Sequence, residues 1–250
     1  MKKFISAPAP RFIMRFFEID RLLRRYVLSY KRAIRVAEIG PGLGDVAAWF
    51  NSFVACESVV LVESSIDARD LLVQRFNEAN NVKIVDSFDS VGKEFDLIMA
   101  FEVLEHIEDD QNFLSNIHSY MTAGGLFIGS VPAYMNKWQA VDVWAGHVRR
   151  YERSELKEKL EVAGFSVITI DIYGFPVTNA LYCLRELYYK KAAVLSRDAA
   201  TAQSGISRSG LRFFNKSIVF LLLWFFKNIQ RAPMVRDFGD GFIFLAKKNV

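Results

Sequence analysis

The stretch VAEIGPGLGD, Val36–Asp45, places three glycines within five positions, directly after an apolar run that predicts a strand. Glycines at this spacing allow a backbone to come close to a ligand. A triphosphate-binding loop would continue with Gly-Lys-Ser or Gly-Lys-Thr, whereas Gly44 is followed by Asp45 and Val46. A dinucleotide fingerprint would need a glycine at position 45, where an aspartate at a helix start would repel a pyrophosphate. The loop therefore predicts a ligand that carries no phosphate at this place.

Two carboxylates accompany the loop. Glu38 lies inside the strand just before it, where its charge suits a cationic ligand group. Glu63 ends the next predicted strand, 23 residues after Gly40. An acid at this place in nucleoside-binding α/β folds can accept hydrogen bonds from both ribose hydroxyls. A ribose without a pyrophosphate, beside a cation, describes S-adenosylmethionine.

Apolar segments alternate with amphipathic helices through the middle of the chain. This alternation predicts an α/β fold with a parallel sheet and helices on both of its faces. An N-terminal helix and a helical insertion before the last strand are predicted in addition. The strands are expected at Ile34–Ile39, Ser58–Glu63, Val82–Asp86, Phe95–Phe101, Gly124–Pro132, Phe165–Tyr173 and Gly241–Lys248.

Four motifs resemble, in order, those of the class I S-adenosylmethionine-dependent methyltransferases. They are EIGPGLG at 38–44, LVESS at 61–65, FDLIMAFEVLEHIED at 95–109 and AGGLFIGSVP at 123–132. The resemblance covers residues 34–173 and 241–248. It is greatest with the small-molecule branch that includes quinone-ring and glycan methyltransferases. The resemblance implies a Rossmann-like fold with a mostly parallel seven-stranded sheet and helices on both faces. It implies S-adenosylmethionine as cofactor and methyl transfer to a small-molecule acceptor of apolar, lipid-linked or glycan type, with no nucleic-acid partner.

The resemblance also implies a cofactor site. The glycine loop would pass under the methionine and ribose, Glu38 would lie near the amino group, and Glu63 would hold the ribose. Asp86 would face the adenine amine, with a plain capping role left open. Phe101 and Glu102 would border the methionine part, and Glu102 could also be an ordinary first-turn helix acid. The implied cofactor-binding residues are Glu38, Gly40, Pro41, Gly42, Gly44, Glu63, Ser64, Asp86, Ser87, Phe101 and Glu102.

Two histidines are candidates for acceptor chemistry, because removal of an acceptor's proton favours a group that titrates near neutral pH. His106 follows the fourth predicted strand, at the edge where ligands bind in such sheets. His147 lies in a long aromatic and basic segment, 138–156. His147 or His106 is predicted to be the catalytic base, with Asp142 and Tyr151 as alternatives. His106 could instead be a helix-start residue that packs against the cofactor loop. The string GHVRRY at 146–151 suits acceptor chemistry and a structural role equally, and no metal site is predicted.

Charge divides the chain into an acidic middle and two basic flanks. Residues 1–35 carry a net charge of +8, residues 36–173 of −12, and residues 174–240 of +6. Apolar residues recur at helical spacing between Phe12 and Tyr30 with arginines around them, which predicts a basic amphipathic helix within 1–33. This helix is expected either to cover the cofactor cleft or to rest on an anionic membrane.

The predicted organisation is an N-terminal helix at 1–33, a methyltransferase domain at 34–173 and 241–250, and a helical apolar insertion at 174–240. The insertion contains nine uninterrupted apolar residues, Ile218–Phe226, which are too few to span a bilayer. They suit docking on a membrane, gripping a lipid tail, or packing within the enzyme or on a second subunit. Two cysteines without a CxxC motif and a poor signal sequence predict a cytoplasmic protein. Peripheral contact with the inner face of the membrane is one hypothesis.

Two other function classes remain open at this point. One is a nicotinamide-dependent oxidoreductase, against which Asp45 counts because it stands where the third fingerprint glycine belongs. The other is a non-catalytic, membrane-associated protein that binds S-adenosylmethionine.

Overall fold

One sheet of seven strands is formed in the computed structural model, which describes residues 9–28, 30–190, 221, 223–232, 235 and 237–249. The strands are Ile34–Ile39 (β1), Cys56–Val62 (β2), Val82–Val85 (β3), Phe95–Phe101 (β4), Met121–Pro132 (β5), Phe165–Tyr173 (β6) and Gly241–Lys248 (β7). Their order is β3-β2-β1-β4-β5-β7-β6, and β7 is antiparallel to both of its neighbours. The predicted Rossmann-like fold is confirmed.

Helices cover both faces of this sheet. They are Pro10–Tyr26 (α1), Asp45–Phe50 (α2), Ile66–Arg75 (α3), Asp110–Tyr120 (α4), Ala140–Ala145 (α5), Arg153–Val162 (α6), Val177–Ala180 (α7) and Tyr182–Lys190 (α8). Short 3₁₀ turns lie at Phe88–Ser90, Leu104–His106, Met135–Lys137 and Ile229–Arg231.

Strand β4 shows why the apolar runs in the sequence are continuous. All seven of its residues are buried, because the strand has neighbours on both sides and helices on both faces. Ile98 and Ala100 belong to the core on the face of α4 and α6, whereas Leu97 and Met99 belong to the core on the face of α1 and α2. The carboxyl ends of the parallel strands β1, β2 and β4 lie side by side at one edge of the sheet. The sheet is covered on both faces.

Several element boundaries differ from the sequence predictions for local reasons. Helix α6 begins at Arg153, directly after β5 and the segment that follows it, because Glu152 and Glu155 form a capping box. The strand predicted to begin at Gly124 begins at Met121 and contains a bulge: Phe95 pairs with Met121 and Leu97 with Leu126, so six residues of β5 oppose three of β4.

Helix α1 is packed on two sides. Phe16 and Ile19 join the core of the sheet, and Ile13 and Phe17 form a second cluster with Leu223 from the insertion. The helix ends at Tyr26, so Tyr30 lies beyond it but packs against the same core. The apolar stripe of the N-terminal helix is thus occupied by the protein itself, which favours the cleft-covering interpretation over membrane contact by this helix.

The insertion at 174–240 is described only in part. Of the apolar run Ile218–Phe226, residues 218–220 and 222 lie outside the described residues. Within the described part of the chain, no helix combines the length and the apolar character needed to cross a membrane.

Candidate active site

The glycine loop joins β1 to α2 through left-handed backbone. Gly40, Gly42 and Gly44 have φ of +60°, +53° and +68°. A Cβ on Gly40 would come within 2.8 Å of a Val103 methyl, and one on Gly44 within 2.7 Å of a Leu72 methyl. Other residues are strained in this conformation, so the three glycines are required by the turn itself. Gly40 N–H also donates to the Val62 carbonyl at 2.9 Å, which holds the loop against the end of β2.

Glu63 is fixed beside this loop. Its Oε2 accepts a hydrogen bond from Gly42 N–H at 3.3 Å, and its Oε1 accepts one from Ser65 N–H at 3.0 Å. Each carboxylate oxygen has capacity for a second donor. The side chain is therefore already oriented where the sequence analysis places the ribose.

Glu38 is a buried acid whose Oε2 has no hydrogen-bond partner among the described residues. Burial raises its pKa to about 8, although a hydrogen bond from the Ala47 backbone acts in the opposite direction. A carboxyl in this state favours a cation beside it, because a positive charge would restore the ionised form.

A cavity of about 320 Å³ opens between the glycine loop and the segments that cover it. The loop, β1 and the end of β4 line one side, and residues of α1, α5 and α8 line the other. Of the residues predicted from sequence, the cavity is lined by Glu38, Gly40, Pro41, Gly42, Phe101, Glu102, His106 and His147. The structure thus brings both candidate histidines to the same cavity as the glycine loop.

The remaining predicted residues lie outside the lining of this cavity. Gly44 begins α2, and Ser64 and Asp86 are exposed after β2 and β3. The Ser87 hydroxyl accepts a hydrogen bond from Asp89 N–H at 3.3 Å and so caps the turn at Phe88–Ser90. Glu63 also lies outside this lining. The cofactor-binding roles of these five residues stay predictions.

Glu102 connects the site to helix α1. It has an unusual φ of +58°, and its carboxylate accepts hydrogen bonds from Ser130 Oγ at 2.9 Å and Tyr173 OH at 2.9 Å. It also pairs with Arg11 and, at 3.3 Å, with Arg15. Burial alone would raise the pKa of Glu102, but the two arginines outweigh it and hold the pKa well below its usual range. Glu102 is therefore the ionised anchor of α1 and not an ordinary first-turn helix acid.

The two candidate histidines face each other in the wall of the cavity. The rings of His106 and His147 lie 4.8 Å apart, nearly perpendicular. His147 Nδ1 lies 2.8 Å from Asp142 Oδ1, and Arg150 donates to Asp142 Oδ2 at 2.7 Å. Burial would raise the pKa of Asp142, but the hydrogen bonds from His147 and Arg150 lower it. An ionised Asp142 therefore orients His147 and is a poor proton acceptor itself.

Tyr151, the other alternative base, has a structural position. Its hydroxyl is fully buried and donates to Asp110 at 2.8 Å. Burial and Asp110 raise its pKa far above the usual range. In the GHVRRY segment, His147 lines the cavity, while Arg150 and Tyr151 make the buried hydrogen bonds that hold the fold together.

A network of ion pairs between residues that are far apart in the sequence closes the cavity, and it was not predicted from the sequence. Asp240, just before β7, pairs with Arg11 at 2.9 Å, with Arg185 at 2.9 Å and with Arg150 at 3.2 Å. Burial would raise the pKa of Asp240, but these three charges lower it well below its usual range. Partners that lie 229 and 55 residues away leave no local pattern.

Comparison with known proteins gives the family of this chain. A family model described as a methyltransferase domain matches residues 11–170. A probable S-adenosylmethionine-dependent methyltransferase of Mycolicibacterium smegmatis is 34% identical over 74 residues, a match that spans 29% of this chain and 29% of that relative.

Two solved structures illustrate the similarity in fold. The cyclase SpnF superimposes with a TM-score of 0.61 at 15% identity, over 94% of this chain and 80% of the other. A putative methyltransferase of Bacillus halodurans gives a TM-score of 0.60 at 15% identity, over 93% of this chain and 99% of the other. The chain belongs to the methyltransferase-domain family, and its fold is that of the class I S-adenosylmethionine-dependent methyltransferases.

Proposed function

We propose that this protein transfers a methyl group from S-adenosylmethionine to a small-molecule acceptor bound in the cavity of about 320 Å³. The observation that carries the proposal is the buried Glu38 carboxyl, which lacks a partner for Oε2 and lines the cavity beside the left-handed glycine loop. A cationic ligand group, such as the amino group of the cofactor, would supply that partner. In the reaction, a lone pair of the acceptor bonds to the methyl carbon while the carbon–sulfur electrons pass to sulfur.

Arg15 supports a specific orientation of the cofactor. Its Nε is buried without a hydrogen-bond partner among the described residues, and its side chain lines the cavity close to Glu102. A guanidinium with a donor to spare suits a carboxylate. We assign the amino group of the methionine moiety to Glu38 and its carboxylate to Arg15, which leaves Glu63 for the ribose.

The acceptor would enter on the side of α5 and α8. Phe12, Trp144 and Tyr189 give this part of the cavity an aromatic wall, which suits an acceptor with an apolar or sugar-like body. The segment 133–151 would close over it. His147, oriented by Asp142, or His106 would take the acceptor's proton.

Calorimetry on the full chain tests the cofactor assignment. S-adenosylmethionine and its demethylated product should bind with micromolar affinity, and NAD and ATP should not. Transfer of labelled methyl groups into a cell extract, followed by partition between organic and aqueous phases, should then reveal the acceptor class. Tight NAD binding without S-adenosylmethionine binding would overturn the proposal, and binding without any transfer would favour a non-catalytic cofactor-binding protein.

Peripheral contact with an anionic membrane is a second part of the proposal. Leu221, Trp224 and Phe225 are 69%, 50% and 70% exposed, and Lys227 lies over the Trp224 ring. Exposed aromatic side chains beside cations suit a membrane interface. Flotation with anionic liposomes should show salt-sensitive binding that a Trp224→Glu/Phe225→Glu variant loses. A chain that stays in solution at low salt would refute this part and leave the methyl transfer untouched.

A further inference from the structure

Three potential metal ligands converge at the acceptor end of the cavity. Glu105 and His106 lie in the 3₁₀ turn after β4, and His147 follows α5, 41 residues later in the chain. One ligand atom from each of the three residues lies within 4.8 Å of the other two. The two histidines line the cavity, whereas Glu105 lies beneath them.

Glu105 is the unexplained member of this group. Its side chain is fully buried, and neither carboxylate oxygen accepts a hydrogen bond from another residue that the structure describes. Buried carboxylates in proteins are paired, hydrogen-bonded or bound to a metal ion. His147 Nε2 lies 3.8 Å from Oε1, too far for a hydrogen bond.

His147 is oriented through its other ring nitrogen. Its Nδ1 lies 2.8 Å from Oδ1 of Asp142, a carboxylate that Arg150 also contacts at 2.7 Å, so Nε2 is the nitrogen that faces Glu105. A positive ion between Nε2 and the Glu105 carboxylate would give this buried side chain the partner that it lacks among the described residues. A carboxylate that orients a histidine through its far nitrogen is the usual outer support of a metal-bound imidazole.

We propose that Glu105, His106 and His147 bind one divalent transition-metal ion of the zinc type, with an open coordination position toward the cavity. Two imidazoles and one carboxylate form a donor set that suits such ions. Bonds of about 2.0–2.2 Å place neighbouring ligand atoms roughly 3–3.5 Å apart, so the three groups need to approach one another by little more than about 1 Å. Glu102 is not part of the set, because Arg11, Ser130 and Tyr173 already occupy its carboxylate.

The open position identifies a chemical class of acceptor; this step rests on the proposed function. An acceptor hydroxyl bound to the ion would have a lowered pKa and lose its proton to water. Its oxygen would then bond to the methyl carbon, and the carbon–sulfur bond would break with both electrons on sulfur. With the ion bound, the two histidines would act on the acceptor's proton through the ion, in place of the direct proton transfer considered for the metal-free site. The acceptor class is a hydroxyl compound that is methylated on oxygen.

Metal titration of tag-free, chelator-stripped full chain tests the site. Calorimetry with zinc chloride should show one site per chain, and Co²⁺ should give a visible absorption band. Glu105→Gln and His147→Gln should each weaken binding by more than the 10–100-fold typical of outer-support residues. His118→Ala is the matched control, because His118 is the remaining histidine and packs against Phe165 away from the cavity. It should bind zinc as the wild type does.

Absence of a zinc site in the wild type would overturn the proposal, as would zinc binding that both ligand variants retain. Thermal unfolding of the variants separates loss of a ligand from loss of the fold. Calorimetry with S-adenosylmethionine separates the two proposals, since Glu105→Gln should keep cofactor affinity. Metal binding without cofactor binding would refute the proposed function and leave the metal site standing.

Discussion

The two halves of the cleft are held in place by different kinds of interaction. The half formed by the glycine loop depends on backbone: three left-handed glycines and the hydrogen bond from Gly42 N–H to Glu63. The opposite half depends on charge: Asp240 and Asp142 tie together arginines from α1, the 146–151 segment and α8. The half that depends on backbone conformation is sensitive to substitutions that alter the backbone. The half that depends on buried charges is sensitive to substitutions that remove a charge.

The largest effect is expected on the charged half. Arg150 is 2% exposed and bonds to Asp142 at 2.7 Å and to Asp240 at 3.2 Å. Arg150→Met should lower the free energy of unfolding by about 3–5 kcal/mol, because it leaves two buried carboxylates with fewer partners. Denaturant unfolding measures this. Lys157→Met, which removes an exposed pair with Glu161, should cost less than about 1 kcal/mol. If the two substitutions lowered the free energy of unfolding equally, buried charges would not be what holds this half of the cleft in place.

The next effect concerns the backbone-built half. Gly42→Val puts a branched side chain at a φ of +53°, which should cost about 1–3 kcal/mol of strain and block the approach of the cofactor. We expect at least a 100-fold loss of affinity for S-adenosylmethionine by calorimetry, on the order of 2.7 kcal/mol. Gly92→Val is the control, because a Cβ there meets nothing within 4 Å. Retained cofactor affinity in Gly42→Val would show that the loop does not contact the ligand.

A smaller effect is expected for Glu63. Glu63→Ala should weaken binding of S-adenosylmethionine by about 1–3 kcal/mol, since the ribose hydroxyls would lose a charged acceptor. Glu57→Ala on the same strand β2 changes an exposed acid and should leave the affinity unchanged. If the two variants bind the cofactor equally well, the ribose does not contact Glu63.

The smallest effect is a dependence of stability on pH from Glu38. Its pKa is raised to about 8 in the folded protein, so the folded state holds this proton more tightly than the unfolded chain. The stabilisation is complete below the unfolded pKa, near 4.5, and is lost as pH rises through about 8. Relative to Glu38→Gln, the wild type should lose about 1 kcal/mol between pH 7 and pH 9. Exposed Glu158→Gln should follow the wild-type curve, and a flat difference for Glu38→Gln would refute the raised pKa.

The sequence was sufficient to predict those features that are formed by residues close together in the chain. The strand β1, the turn through Gly44 and the acid after β2 are neighbours in the chain, so periodicity and spacing predicted the fold and the loop. The seven-stranded topology followed from the alternation of apolar runs and helices. The assignments of Ser64, Asp86 and Ser87 to the cofactor stay predictions, as do the proposed catalytic roles of His106 and His147.

The other contacts of the site were not predicted, because they join charged residues that are far apart in the sequence. Glu105 lies directly before His106 in the sequence, yet nothing local indicates that His147 faces it across 42 residues. The partners of Glu102 and Asp240 on α1 lie 91 and 229 residues away in the chain. An available signal was the string Glu102–His106, in which a second acid adjoins a histidine at the carboxyl end of a strand.

The pairing of Arg11 with Asp240 has a consequence for synthesis of the protein. The sheet order places β7 between β5 and β6, so β6 has no strand to pair with until residues 241–248 have been translated. Arg11 leaves the ribosome early, whereas Asp240, with which it pairs, is translated 229 residues later. The glycine loop can form while translation continues, but the acceptor side of the cleft assembles only when the nascent chain is nearly finished. We therefore expect ribosome-bound chains that end before residue 240 to lack a closed cleft.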